Sequence, residues 1–171
     1  MKLKRDIVVA LLAVLISPSM GRAQTSHSST NETVAEGSFE GVADAALTAM
    51  RTRADELKIG GVAVVAYFEG ETIRAWSSKM IVVGKYKVEP TANDKGSNLL
   101  GIVYAKAAEM ADTHRDSGSK MRSPMTGEFG WNGGVIARGK TGYLIAAFSG
   151  SKSEDDVEVS RAGLAKLKAG L

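Results

Sequence analysis

The stretch from Trp131 to Leu167, WNGGVIARGKTGYLIAAFSGSKSEDDVEVSRAGLAKL, decides the fold. Val135-Ile136-Ala137 and Tyr143 to Phe148 are apolar runs rich in residues that suit a pleated surface. Between them lies Arg138-Gly139-Lys140-Thr141-Gly142, a polar loop with two glycines, which predicts a hairpin. After Ser149-Gly150 the period changes. Ser153 is the candidate N-cap, and Glu154, Asp155, Asp156 and Glu158 fill the region where a helix dipole favours anions. Val157, Leu164, Leu167 and Leu171 follow at roughly helical spacing.

The same hairpin contains a false lead. Gly134 to Thr141 matches the phosphate-loop pattern G-x-x-x-x-G-K-[ST]. That loop binds phosphate only where a strand precedes it and a helix N-terminus follows. Here Lys140-Thr141 runs into Gly142-Tyr143-Leu144-Ile145, which reads as a strand. The match is a coincidence of hairpin glycines.

Upstream, Phe39 to Ile59 predicts a first helix, with Phe39, Val42, Ala46, Met50 and Leu57 on one stripe and Gly60-Gly61 as its C-cap. Val62 to Phe68 is an almost wholly apolar strand. Glu69-Gly70 reads as a two-residue turn, and Glu71 to Ser77 as the returning strand. Lys79 to Val83 continues or starts a strand, and Lys85 to Lys95 reads as an exposed loop. Ser97 or Asn98 caps a second helix reaching Asp112 or His114, with Leu99, Val103, Ala107 and Met110 on its buried side. Gly101 inside it costs on the order of 1 kcal/mol against alanine, which marks close contact with something. A second long loop covers 116–132. With no helix crossing over inside either hairpin, the order predicts an α+β fold: an antiparallel sheet with packed helices.

The N-terminus reads as a secretory signal. Lys2, Lys4 and Arg5 precede an apolar run from Ile7 to Ile16, and Gly21 and Ala23 are small where a peptidase reads, so cleavage is expected after Ala23. Residues 24–38 read as a flexible tail, holding His27 and the formal sequon Asn31-Glu32-Thr33, and 39–171 as the domain. The whole chain has 22 Lys and Arg against 19 Asp and Glu. Removing Lys2, Lys4, Arg5, Arg22 and Asp6 with the leader leaves 18 of each. The basic balance therefore belongs to the leader and is no argument for nucleic acid. The chain is expected to be secreted or periplasmic, with no membrane insertion after cleavage. The absence of cysteine excludes thiol chemistry and, with two histidines, argues against a dedicated zinc site.

Three groups of residues carry a family likeness: Gly133-Gly134-Val135-Ile136 before the turn, Ser149-Gly150 followed by Glu154-Asp155, and Ala162 to Leu167. Together with Ala105-Lys106-Ala107 on the second helix, they make residues 40–168 resemble the HbpS/GlcG family of haem-binding and proposed haem-degrading proteins. The resemblance implies a profilin-like α-β-α sandwich with an antiparallel sheet of about five strands, and assembly into homo-oligomers. It implies haem as cofactor or cargo, with some members encoded beside glycolate-utilisation enzymes. The chain departs from the family at Lys79-Met80-Ile81, where an acid is usual after the methionine, and at Glu109-Met110, Leu144 and Ala147. Lost acidity after Met80 favours binding over catalysis.

Haem iron takes His, Met, Cys or Tyr axially, which leaves His114, Met110, Met121, Met125 and Tyr104. Asp112, His114 and Ser117 crowd one helix end and are too close in sequence for a hydrolytic triad. The chain is therefore expected to be an exported small-ligand binder, haem first, with a pocket between the second helix and the glycine-rich strand ends. Its expected ligand-binding residues are Lys106, His114, Gly133, Gly134, Ser149, Gly150 and Asp155. The alternatives are an enzyme acting on haem or on a small organic acid, for which Lys106 and Asp155 are the candidate groups of shifted pKa, or an assembly domain.

Overall fold

The computed structural model describes residues 38–171. The leader, its cleavage site, His27 and the sequon lie outside the described residues. In order come α1 (Phe39–Glu56), β1 (Gly61–Glu69), β2 (Ser77–Val83), β3 (Lys87–Val88), β4 (Ser97–Asn98), α2 (Leu99–Thr113), β5 (Gly134–Arg138), β6 (Gly142–Ser149) and α3 (Ser153–Gly170). The main sheet has the order β2-β1-β6-β5, antiparallel throughout, and β3 and β4 form a separate two-stranded pairing. The fold is an α+β sandwich. Among the described residues its main sheet has four strands where about five are expected.

Strand alternation explains the layers. On β1, Ala63 and Val65 face one core with Leu144, Ala146 and Phe148 of β6, under α1 and α3. Val62, Val64, Ala66 and Phe68 face the other, with Ile145 and Ala147, under α2. Both faces of the two central strands are covered, so both read as continuous apolar runs.

Several boundaries differ from expectation. Helix α1 stops at Glu56 with Leu57 as C-cap, and Lys58 rather than a glycine takes the left-handed turn at φ 57°. Gly61 opens β1, where a Cβ would run into the Ser149 carbonyl and Gly150. The pair Gly60-Gly61 thus serves close strand approach and does not cap the helix. The partner of β1 is Ser77–Val83, with Tyr67 opposite Ser77, so 70–76 is a connecting loop and not a two-residue turn. Glu71 is drawn across the sheet end instead of into the ladder, because its carboxylate accepts from Tyr143 Oη (2.9 Å) and pairs with Arg138. The segment 84–96 is a small folded flap closed by β3 and β4, with a Thr91–Asp94 bridge.

Helix α2 is capped by Asn98, whose Oδ1 accepts from Gly101 N at 3.0 Å, and ends on His114 in the left-handed conformation. For α3 the N-cap position belongs to Lys152 and no side chain caps it; Ser153 is already helical. The buried face of α3 is Asp156, Val159, Ser160, Gly163 and Leu167, rotated from the expected stripe of leucines. Gly163 lets α1 approach, since a Cβ there would meet Met50 Sδ. Among the described residues no helix is long and apolar enough to cross a membrane.

Gly101 is exposed, and a Cβ there would meet only the Asn98 side chain, at 3.5 Å. The fold itself gives no reason for a glycine. Gly101→Ala should therefore stabilise the protein by about 0.5–1 kcal/mol through helix propensity, read as a rise in the chemical-denaturation midpoint. A loss of stability would show that the backbone there is constrained by something else.

Candidate functional site

The site forms where β6 ends, β5 begins and α3 starts. Lys106 projects from α2, which covers one face of the sheet, and Asp156 from α3, which covers the other. Their side chains nonetheless meet. Lys106 Nζ donates to Asp156 Oδ2 at 2.9 Å and to the Phe148 carbonyl at 2.8 Å. Gly133 makes this possible. At φ 135°, a Cβ on it would overlap Lys106 Nζ and press on the Phe148 carbonyl at 2.9 Å. Its carbonyl is held in turn by Phe148 N (3.0 Å) and by Ser160 Oγ (2.7 Å). The bare glycine is the passage through which the two layers are pinned.

The pair is almost wholly enclosed, each residue being 3% exposed. Burial pushes the Lys106 ammonium below its ordinary value, with the charge and hydrogen bond of Asp156 opposing. Burial likewise pushes the Asp156 carboxyl up, opposed by Lys106 and by the N–H groups of Ser151 and Gly150. Asp156 Oδ1 accepts from Ser151 N at 3.0 Å, so both carboxylate oxygens are engaged. The ammonium has three donors and spends two on these partners.

Above the pair lies a cleft of about 220 Å³ whose lining includes Ser97, Ile102, Lys106, Trp131, Ser149 and Asp156. Ser149 is 4% exposed and, by strand alternation with Ile145 and Ala147, points to the α2 side. Among the described residues its hydroxyl has no hydrogen-bond partner, and no fully enclosed side-chain polar atom is left unpaired. The Ser149 Oγ therefore opens into the cleft. Lys106, whose third donor has no partner among the described residues, lines the same cleft, and hydroxyl and ammonium are both groups that can donate to an acceptor oxygen.

Of the expected site residues, Lys106, Gly133, Ser149 and Gly150 converge here. Gly134 is one residue away, and its missing Cβ makes room for Met110. Asp155 stands aside: its carboxylate accepts from Ser151 Oγ at 3.2 Å and lies 3.7 Å from Lys152 Nζ. The partner of Lys106 is the next residue, Asp156. His114 sits eight residues along α2 from Lys106, about 12 Å at the helical rise. Its ring stacks on Tyr143 at 4.1 Å. The other iron-ligand candidates are scattered: Met110 is core, Met121 and Met125 are exposed on the 116–132 strap, and Tyr104 leans on Trp76. Sequence reasoning missed Asp156 and Ser160. The signal was present in the i, i+3, i+4 spacing of Asp156, Val159, Ser160 and Gly163, a helix face with two polar members.

The strap that carries Trp131 is latched at its middle. Arg122 Nη1 and Nη2 donate to both oxygens of Glu128 (2.6 and 2.8 Å), and Nε and Nη2 to Asp112 Oδ2 (3.0 and 2.7 Å). Arg122, with help from Met125 N, holds the Glu128 carboxyl down from 4.5 to about 2. A carboxyl with depressed folded pKa adds stability above its unfolded value and loses it as pH falls through the folded one. The latch should thus weaken between about pH 4.5 and about 2. The stability at stake is small, because Arg122 is partly solvated. In a Trp76→Phe background, Trp131 fluorescence should change across that window, and Glu128→Gln should remove the step. A transition unaffected by Glu128→Gln would assign it elsewhere.

No family model matches the chain, and no curated protein matches it.

Proposed function

We propose that the protein is a small-ligand-binding module whose ligand, a small organic acid, places a carboxylate, carbonyl or hydroxyl oxygen in the cleft at the end of β6. The observation that carries this reading is the Ser149 hydroxyl, nine-tenths buried and unpartnered among the described residues, in a cleft that the buried Lys106 also lines. A neutral hydrogen bond adds about 0.5–1.5 kcal/mol and one from a charged group about 1.5–3 kcal/mol, which places affinity for a minimal ligand in the millimolar range. Binding is favoured over turnover because both Asp156 oxygens are already committed to the protein.

Haem is the second reading, and it is supported at a different place. None of the described residues lining the cleft is a His, Met, Tyr or Cys, so none of them offers iron an axial partner there. A larger open groove of about 590 Å³ runs along the β1–β2 connection and is lined by Tyr67, Arg74 and Trp76 among others. It has the size of a cofactor site, and Tyr67 is a residue type that iron accepts, although its hydroxyl would have to leave Thr141 and Glu69 to bind metal. Export and self-association belong to the same proposal, on the strength of the leader and the family resemblance.

Acetate and glycolate titrated into the 24–171 protein, followed by amide chemical shifts, test the first reading. Saturable shifts at Gly150 and Ser151, weakened about 2- to 10-fold by Ser149→Val, are expected. Shifts that Ser149→Val leaves unchanged would remove the cleft from the proposal. Haemin added to the same protein, with Tyr67→Phe and His114→Ala in parallel, tests the second. A saturable Soret band abolished by either variant would place haem on that residue. A band no different from haemin with an unrelated protein would remove haem.

A further inference from the structure

We infer that the ligand of this cleft is a two-part molecule, an acceptor-oxygen head joined to a flat apolar ring that lies over Gly101 against Phe129 and Trp131. The inference rests on the reading of the cleft given above.

Beside this cleft, and sharing Ser97, Ile102 and Trp131 with it as lining, lies a groove of about 450 Å³ along the first turns of α2. The floor of that groove is Gly101, where the helix shows bare backbone. Its wall is Phe129 and Trp131, whose rings stand 4.8 Å apart and are 45% and 50% exposed. Val88 on the flap is exposed at the rim of the adjoining cleft. Large apolar side chains left open next to one another on a small domain mark a place where something binds.

Gly101 singles out what binds. Gly101 lies in the first turn of α2, where glycine still loses more chain freedom on folding than alanine. The three atoms nearest a Cβ there all belong to the Asn98 side chain, at ordinary contact distance. Glycine on an exposed helix face lets another molecule approach the backbone closely. Two aromatic rings opposite favour a flat, π-faced or apolar ring over an extended chain. The adjoining cleft offers the Ser149 hydroxyl and Lys106, so a molecule spanning both has its ring at one end and a hydrogen-bond acceptor at the other. An aryl-substituted small carboxylic acid has that composition.

Acetate and phenylacetate, differing only by the ring, separate the two halves of the idea. Both are titrated into the wild-type 24–171 protein, Gly101→Leu and Ser149→Val, with amide shifts as the readout. Gly101→Leu fills the groove from an exposed helical position and is expected to fold, with its own unfolding curve as the check. Burying a ring of phenyl size is expected to make phenylacetate bind about tenfold or more tightly than acetate in the wild type. Gly101→Leu should erase that advantage while leaving acetate unchanged, and Ser149→Val should weaken both. Equal affinities in the wild type would overturn the ring and leave the acid-binding cleft standing. Insensitivity of both ligands to Ser149→Val, with phenylacetate still weakened by Gly101→Leu, would overturn the head site. Binding of neither would overturn both.

Discussion

Lys106→Met should destabilise the protein by about 3–5 kcal/mol, the range seen when one partner of a buried ion pair is removed. The methionine fills the space of the lysine stem, so the loss is electrostatic and not a cavity. What remains is an Asp156 carboxylate that is 3% exposed and keeps only the Ser151 and Gly150 N–H groups as partners. The melting temperature should fall on the order of 10–15 °C for a domain of this size. Two controls decide the cause. Lys106→Met combined with Asp156→Leu should recover most of the loss, because replacing both members of a buried pair by apolar groups is often near neutral. The single variant should also regain stability in acid. With its counter-charge gone, the folded carboxyl is raised further above its unfolded value, so the folded state binds the extra proton. Stability then rises as pH falls through the folded value and levels off below the unfolded one. A single variant as costly as the double, or one indifferent to pH, would mean that the pair contributes packing and not charge.

The second large effect is expected at Gly133→Ala. A methyl group there meets Lys106 Nζ, the Phe148 carbonyl and Asp156 Cβ together, and φ 135° is strained for any L side chain. Backbone strain costs about 1–3 kcal/mol and overpacking a similar amount, so a loss of about 3 kcal/mol or more is expected from denaturant unfolding. Because the lysine is the main obstacle, Gly133→Ala and Lys106→Met should not add: the double variant should be clearly better than the sum. Simple additivity would show that the glycine serves the β5 backbone alone.

The parts of the fold written in periodicity were legible. The helix from Asn98 to His114 and the hairpin of β5 and β6 follow from cap, stripe and turn residues whose signal is local. The phosphate-loop match was correctly set aside, since Lys140 and Thr141 fall in the turn between two strands. Less legible was β2. Ile73 and Ala75 alternate well, but Ile73 is exposed, and Glu71 is drawn off by Arg138 and Tyr143 from the far hairpin. No local pattern announces a tertiary pull of that kind.

The site was half legible for a similar reason. Lys106 stood out because a charge beside an alanine-rich stripe needs an explanation, and Ser149, Gly150 and Gly133 stood out as punctuation at strand ends. Asp156 did not, because three acids in a first turn all satisfy the helix dipole equally well on paper. Only the approach of α2 from the opposite face selects one of them. His114 enters the expected site as a possible axial ligand of haem iron, yet it caps α2 in the left-handed conformation and stacks on Tyr143, away from Lys106.

The pin through Gly133 also ties the two faces of the sheet together in energy. Lys106 and Asp156 are 50 residues apart, and the carboxylate belongs to α3, which follows every strand in the chain. Contacts of long sequence separation form late and slow folding. Until α3 docks, a chain that has already laid α2 on the sheet holds an ammonium in an apolar crevice with no counter-charge. Close packing of α2 on one face is thus coupled in energy to α3 on the other, because the buried ammonium finds its counter-charge only across the sheet.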